Sequence, residues 1–202
     1  MNQAKIRLSA KEAELVLNTD WILTKNEILK KSKQLLEALM EEQQKFIGSC
    51  KYLPAEILVI PAKISKGENY KGLPYLVLDH PRYFDKENIF AIRTLFWWGN
   101  FFSVTLHLAG KHKKNYEERI LSAFPLLKEQ AIYCCVNNEQ WEHHFEKGNY
   151  RLIEEMTTAD IKKIFSEKPF IKLAKKISLE EWNNAPQKLL NDFGLFIKLA
   201  GE

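Results

Sequence analysis

The 202-residue chain lacks the signals that direct proteins into membranes or out of the cell. Its first residues show no apolar stretch behind their positive charges and no small-residue cleavage site, so no secretory signal is predicted. No segment approaches the roughly 20 apolar residues that span a bilayer. Even the most apolar stretch, residues 89–109, is interrupted by an arginine, a glycine, an asparagine and a histidine. We therefore expect a cytoplasmic protein without a membrane partner.

Cysteine is scarce, with three residues in the chain. Cys134 and Cys135 are neighbours, and a disulfide between neighbouring residues would be strained. We expect both to be reduced, buried and apolar in character. His143 and His144 invite a metal interpretation, but adjacent strand residues point to opposite faces and adjacent helical residues lie about 100° apart. Only one member of each pair would reach a shared ion, so no metal site is predicted.

Motifs of the common nucleotide, protease and hydrolase families are also absent. The sequence has no glycine-rich phosphate loop, no nucleophile elbow, no His-Glu-x-x-His and no Cys-x-x-Cys, so no cofactor is predicted. Basic and acidic residues number 30 and 26, a near balance that argues against a dedicated nucleic-acid binder. The lysines of the C-terminal third are flanked by acidic residues and are interpreted as a solvated surface: Lys162, Lys163, Lys168, Lys172, Lys175 and Lys176.

Apolar and aromatic side chains are plentiful, at 46% and 12% of the residues. This content supports a substantial core. No repeat, low-complexity tract or long linker divides the sequence, so we predict one α+β domain over residues 1–202. Its predicted parts are a helical region at about 9–48, a sheet-rich region at about 55–109 and a mixed region at about 114–200.

Two capping boxes predict the N-terminal helices. Ser9 with Glu12 begins a short helix, and Thr24 with Glu27 begins a longer one. Apolar residues recur at the helical period along the longer helix as far as Gly48. Later helices are predicted at 116–127, 139–146, 158–165 and 178–199, the last of them capped by Gly201.

Short apolar or alternating runs predict strands at 55–60, 73–78, 131–136, 150–153 and 170–177. Residues 65–72 contain two glycines and mixed charge, and are predicted to be an exposed, mobile loop. The clearest signal lies at 89–109, where two β-rich runs flank Gly99 and Asn100 and predict a hairpin. The expected fold is α+β, with a mostly antiparallel sheet centred on this hairpin and packed against a long N-terminal helix and a C-terminal helix.

The hairpin supplies candidate ligand-binding residues. If Gly99 and Asn100 form a two-residue turn, Trp98 faces Phe101 and one face of the hairpin becomes almost wholly apolar. The other face mixes aromatic rings with polar groups and is predicted to line a ligand cavity: Thr94, Phe96, Trp98, Ser103, Thr105 and His107. The alternative is that a helix and solvent cover this face. Arg93 falls on the apolar face, where a guanidinium requires a carboxylate partner.

A second group of candidates follows the second predicted strand. Asp79 is predicted to pair with Arg93 or Arg82 and so to aim a guanidinium at an anionic substrate. His80 or His107 would act as general base near neutral pH. The candidate catalytic residues are therefore Asp79, His80 and His107, and Arg82 and Arg93 join the ligand-binding set. The alternative is a structural aspartate that binds loop amides and an arginine.

Two functions of different classes follow from these residues. The first is a non-enzymatic binding protein that uses the aromatic hairpin face, which would require an exposed apolar patch. The second is a small-molecule enzyme whose Asp, His and Arg side chains surround one pocket and recognise an anionic substrate. The partner is accordingly a protein or a small-molecule ligand, and the chain is expected to be a monomer or a homodimer.

Overall fold

A seven-stranded sheet lies at the centre of the computed structural model, which describes residues 6–50 and 53–200. The strands are β1 (Lys63–Tyr70), β2 (Leu73–Phe84), β3 (Ile89–Trp97), β4 (Phe101–Ala109), β5 (Tyr133–Cys135), β6 (Tyr150–Leu152) and β7 (Phe170–Ser178). They lie in the order β1-β2-β3-β4-β7-β5-β6, and every pairing is antiparallel. The predicted α+β fold, centred on the 89–109 hairpin, is confirmed.

Six α-helices accompany the sheet within the described residues. They are α1 (Ala10–Leu17), α2 (Thr19–Gly48), α3 (Ala55–Leu58), α4 (Gly110–Leu127), α5 (Thr158–Glu167) and α6 (Ala185–Leu199). Buried side chains of α2, α4 and α6 form one core with one face of the sheet, named here the first face. The predicted packing against a long N-terminal helix and a C-terminal helix is thus confirmed. None of the described helices has the length and apolar character needed to cross a bilayer.

Polar side chains cap the first two helices. Ser9 Oγ accepts a hydrogen bond from the Glu12 amide at 3.3 Å, and Glu12 Oε2 accepts one from the Ser9 amide at 2.7 Å. This reciprocal pair confirms the first capping box. The second predicted box is wrong, because Thr24 lies inside α2. Asn18 Oδ1 accepts from the Trp21 amide at 3.1 Å and starts that helix earlier.

Two predictions at the start of the sheet are wrong. Residues 55–60 contain the short helix α3 rather than a strand, and Pro54 precedes it in a position where a missing amide hydrogen costs nothing. The predicted loop at 65–72 belongs mostly to β1, which pairs with β2. Its polar composition suits an edge strand with one flank in solvent. The turn itself is Lys71 and Gly72, both with positive φ.

The 89–109 hairpin has a turn of three residues rather than the predicted two. Trp97 pairs with Phe101, and residues 98–100 form the turn. The Trp98 amide donates to the Pro74 carbonyl of β2 at 3.0 Å, so Trp98 leaves the β3–β4 pairing. Because side chains alternate along a strand, this shift of one residue changes which side chains of β3 share a face with those of β4.

The C-terminal part contains the predicted strands and lacks one predicted helix. Three predicted strands appear as β5, β6 and β7, and two predicted helices as α4 and α5. Residues 139–146 are not helical. The Glu139 amide donates to Asn137 Oδ1 and the Trp141 amide to Glu139 Oε1, so side chains replace the carbonyls of a helical turn. The predicted cap at Gly201 lies outside the described residues.

Residues 136–149, named here the covering segment, pack on the second face of the sheet. The Phe145 ring stacks on the Tyr150 ring, with 4.6 Å between centroids, and meets Tyr133 edge-on at 4.9 Å. Trp141 packs edge-on against His107 at 5.3 Å. Helices therefore cover the first face, whereas irregular chain covers part of the second.

Candidate functional site

The observed register brings five polar side chains together on the second face. This polar cluster comprises Asp79, Arg93, Thr105, His107 and Lys172. Asp79, Arg93 and Thr105 are successive partners across β2, β3 and β4. His107 and Lys172 are partners across β4 and β7, two positions further along. Residues that are paired, or two apart on one strand, project from the same face. Arg93 is half-buried and the other four are buried.

Arg93 and Asp79 form a bidentate ion pair. Arg93 Nε donates to Asp79 Oδ1 at 2.7 Å and Nη2 donates to Oδ2 at 3.3 Å. Of the two partners predicted for Asp79, Arg93 is thus the one observed. The guanidinium carbon lies 5.8 Å from the Phe84 ring centroid and 5.6 Å from that of Trp141. Carboxylate and rings together fix the plane of the guanidinium.

The predicted place on a solvated surface is wrong for Lys168, which is 8% exposed, and for Lys172, which is 1% exposed. Lys172 Nζ donates to the main-chain oxygen of Gln140 at 2.9 Å and to that of Glu142. It also lies 5.3 Å from the Tyr150 ring centroid. The ion pairs found among residues 6–50 and 53–200 do not include Lys172. Burial disfavours the charged amine and lowers the pKa of Lys172 to about 8.

His107 is fully buried beside Lys172. Its Nε2 lies 3.0 Å from Gln140 Oε1. Because an amide oxygen only accepts, this contact assigns the proton to Nε2 and leaves a lone pair on Nδ1. Nδ1 has no hydrogen-bond partner in the described part of the chain. Burial, followed by the charges of Lys172 and Arg93, lowers the pKa of His107 to about 3, so the ring is neutral at pH 7.

Tyr70, the last residue of β1, holds the covering segment by hydrogen bonds. Its hydroxyl oxygen accepts from the amides of His143 at 2.7 Å and His144 at 3.1 Å, and the hydroxyl donates to Glu142 Oε2 at 2.8 Å. Burial is the main cause that raises the pKa of Tyr70 to about 12, so the hydroxyl keeps its proton. One side chain of the sheet thereby satisfies three polar groups of the covering segment.

The shifted register also separates residues that were predicted to share a face. Thr94 and Phe96 lie on the first face, where Gln43 Nε2 donates to Thr94 Oγ1 at 3.5 Å and Phe96 packs against Trp182. Ser103 and Thr105 lie on the second face with Arg93. The predicted grouping of Thr94 and Phe96 with Ser103, Thr105 and His107 is therefore wrong, and so is the assignment of Arg93 to the apolar face.

The remaining predicted site residues lie apart from these contacts. Trp98 is half-buried at the hairpin turn. Arg82 Nε donates to the Pro61 carbonyl at 2.8 Å. His80 is buried, neither ring nitrogen has a partner among the described residues, and burial alone lowers its pKa to about 4. Of the three candidate catalytic residues, Asp79 and His107 therefore belong to the polar cluster, whereas His80 makes no hydrogen bond to it.

The adjacent cysteines are buried thiols, as predicted. Cys134 and Cys135 lie on β5, and burial raises the pKa of both thiols, which disfavours the reactive thiolate. His143 and His144 lie in the covering segment, where the predicted helix does not form. No group of three or more His, Cys, Asp or Glu side chains in the described ranges is placed to hold a metal ion.

Lys172 and the covering segment are the parts of the site that the sequence interpretation missed. The signal for Lys172 is its position inside residues 170–174, an otherwise apolar part of β7 with buried residues on both faces. A continuous apolar run of this kind indicates a strand buried on both faces, so its central lysine is expected to be buried. The contribution of Gln140 and Trp141 has no such signal, because it depends on how irregular chain folds across the sheet. No protein-family model matches the sequence, and neither a curated protein nor a solved structure is significantly similar to it.

Proposed function

We propose that the polar cluster binds a small anionic molecule beneath the covering segment. The observation that carries this proposal is the buried ammonium of Lys172, which has two main-chain carbonyls as acceptors and, among the described residues, no carboxylate in an ion pair. A buried charge without a counter-charge is costly. A bound anion would supply that counter-charge, whereas Asp79 is already occupied by Arg93.

The charges around the cluster support an anion rather than a cation. Burial is the main cause that lowers the pKa of His107 and that of His143, and Lys172 and Arg93 lower both further, which reflects positive potential at each ring. The Thr105 hydroxyl, at the same level of the sheet as Arg93, is engaged by the buried Tyr150 hydroxyl. Two cationic side chains on one face suit a carboxylate or a phosphate group.

Access to the cluster requires the covering segment to move, because it contacts the site directly. Gln140 binds His107 and Lys172, and Trp141 packs on Arg93 and His107. Irregular segments held by a few side-chain contacts open at lower cost than paired strands or packed helices. When the segment opens, water reaches His107 and relieves the burial that is the main cause of its low pKa, so that Nδ1 becomes a stronger base next to the bound molecule.

The proposal is tested by differential scanning fluorimetry with glycolate, oxalate and inorganic phosphate. A molecule that binds only the folded state raises the unfolding midpoint by mass action, by an amount equivalent to about 2.7 kcal/mol at 100 times its Kd. We expect at least one of these anions to raise the midpoint of the wild type. Lys172→Met keeps most of the apolar stem and removes the charge, so the shift should disappear.

Lys176→Met is the matched control. Lys176 lies on the same strand and projects from the same face as Lys172, but it is exposed. This variant should keep the anion-induced shift. A shift that persists in Lys172→Met, or a wild type that responds to none of the three anions, would contradict the proposal.

A second function is favoured by exposed apolar side chains at the N-terminal helices. No residue of α1 is buried. The N-terminal patch consists of Leu15, Val16, Leu17, Trp21, Ile22 and Leu23, all of them exposed. It continues into a groove where Trp21, Ile28 and Trp98 lie together. Trp98, which was predicted to bind a ligand, borders this groove and also meets the hairpin aromatic Phe96 edge-on at 6.5 Å.

We propose a second copy of this chain as the occupant of the N-terminal patch. Both charge signs border the patch, with Lys11 and Lys25 close in sequence to Glu12, Glu14 and Asp20. A twofold-related copy presents the same residues, so apolar side chains meet apolar ones and opposite charges can pair. A monomeric protein rarely leaves so many neighbouring large apolar side chains in water.

Sedimentation equilibrium tests this self-association. We expect the wild type to form a dimer, and Trp98→Ala and Leu17→Asp to raise its dissociation constant at least tenfold. Trp98 is only half-buried, so its substitution should lower the free energy of unfolding of the monomer by about 1 kcal/mol. Leu126→Asp, at an exposed leucine of α4, is the control and should leave the dimer intact. A monomeric wild type at high concentration would refute the second function.

A further inference from the structure

The amine of Lys172 lies next to an unused base. Lys172 and His107 are direct partners across β7 and β4, so their side chains project from one face as neighbours. Lys172 is 1% exposed and His107 is fully buried. His107 Nδ1 is without a hydrogen-bond partner among the described residues, and the Nε2 contact with Gln140 leaves its lone pair unprotonated. A buried nucleophile and a buried base therefore occupy adjacent positions.

We infer that Lys172 forms an imine with a small molecule that carries both a carbonyl carbon and an anionic group. This inference rests on the proposed anion site, where the guanidinium of Arg93 would hold the anionic group while Nζ, in its neutral form, meets the carbonyl carbon. It names the substrate class as aldehyde or keto acids and assigns the nucleophile to Lys172 Nζ. Buried lysines with low amine basicity are the lysines that form such imines in proteins.

The reaction balances with groups that the cluster contains. Neutral Nζ attacks the carbonyl carbon, and His107 Nδ1 takes one proton from Nζ and delivers it to the carbonyl oxygen, which becomes the hydroxyl of a carbinolamine. His107 then takes the second proton from Nζ and delivers it to that hydroxyl, which departs as water while the C=N bond forms. Both hydrogens of the amine end in the water molecule. The step is a condensation, so neither an oxidant nor a reductant takes part.

The environment of Lys172 favours the neutral amine that this attack requires. With a pKa of about 8, about a tenth of the amine is neutral at pH 7. An exposed lysine with an ordinary pKa has about three neutral amines in ten thousand at that pH. The covering segment shields Nζ from solvent through Gln140 and Glu142, and a carbonyl compound would replace their main-chain oxygens as the contact of Nζ.

Reductive trapping tests the inference on the full chain. The protein is incubated with glyoxylate and cyanoborohydride, and peptide mass spectrometry measures the rate of modification at Lys172 and at Lys176, the exposed lysine of the same strand face. We expect Lys172 to react at least tenfold faster than Lys176, with a rate that rises with pH and levels off above about pH 8. Acetaldehyde, which lacks the carboxylate, should reduce this preference, and glycolate should compete with glyoxylate.

The variant His107→Gln tests whether His107 acts as a base or only contributes to the burial of Lys172. It should slow the modification of Lys172 at least tenfold and leave that of Lys176 unchanged. Lys172→Arg keeps a cationic donor for the carbonyls of the covering segment and should abolish the preferential adduct. Equal rates at Lys172 and Lys176, or reaction at Lys176 alone, would overturn the inference.

The trapping experiment distinguishes failure of this inference from failure of the proposed function. If glycolate raises the unfolding midpoint but glyoxylate does not modify Lys172, the anion site stands and the imine does not. If glycolate, oxalate and inorganic phosphate all leave the midpoint unchanged and Lys172 does not react, both are wrong. Rapid modification of Lys172 by acetaldehyde and glyoxylate alike would support a reactive lysine and refute the requirement for an anionic group.

Discussion

Acidification from pH 6.5 to pH 4.5 is expected to lower the free energy of unfolding by about 4 kcal/mol, about 2 kcal/mol from each of two buried histidines. His80 and His107 are 8% and 0% exposed. Burial lowers their pKa values to about 4 and about 3, whereas an unfolded histidine has a pKa of about 6.5. A loss of this size is a large part of the free energy of unfolding of a typical domain, which is roughly 5–15 kcal/mol.

The sign of this change in unfolding free energy depends on whether the folded or the unfolded state binds more protons. Between pH 6.5 and about pH 4.5, the unfolded chain protonates both rings, whereas the folded protein keeps them mostly neutral. Protonation therefore favours the unfolded state, and stability falls as the pH falls. The rings of His112 and His143 act in the same direction, since burial lowers their pKa values as well. Asp192 opposes the trend, because burial raises the pKa of its carboxyl.

Urea unfolding followed by circular dichroism at pH 7.5, 6.5, 5.5 and 4.5 measures this dependence. His107→Gln removes one titrating ring, so the slope of unfolding free energy against pH should decrease by about 1.4 kcal/mol per pH unit. The slope is the readout, since the substitution also changes packing at every pH. Identical slopes for wild type and His107→Gln would mean that His107 titrates normally and that water reaches its ring.

Local signals predicted most of the fold. The capping box at Ser9, the helical period of α2 and the β-rich runs around Gly99 depend on residues close in sequence, and each corresponds to an observed element. Local signals did not predict the edge strand β1, because its polar sequence resembles that of a loop. Its conformation depends on hydrogen bonds to β2, which no local pattern reveals.

The candidate site was predictable only in part, and a single residue in a turn explains much of the difference. The sequence identified Asp79, Arg93 and His107 as chemically important. A two-residue turn placed Arg93 away from His107, whereas the observed three-residue turn joins them on one face. Lys172 and Gln140 reach the site from distant parts of the chain, through strand order and through an irregular segment. These features arise from tertiary packing.

Arg93→Ala is expected to destabilise the protein by about 3 kcal/mol, because it leaves the buried carboxylate of Asp79 without its bidentate partner. It also removes the cation between the rings of Phe84 and Trp141, so the covering segment should loosen. Urea unfolding gives the change in stability. Tryptophan fluorescence, with Trp141→Phe to identify the contribution of Trp141, reports the change in the covering segment.

An exposed ion pair provides the control for this prediction. Lys33 and Glu37 pair on α2 with more than two-fifths of each side chain in solvent, so Lys33→Ala should change stability by less than about 0.5 kcal/mol. The double variant Asp79→Leu/Arg93→Met replaces both charges and should be more stable than Arg93→Ala, since no buried charge remains unpaired. If Arg93→Ala were as mild as Lys33→Ala, water would be solvating Asp79, and the polar cluster would already be open to ligands without movement of the covering segment.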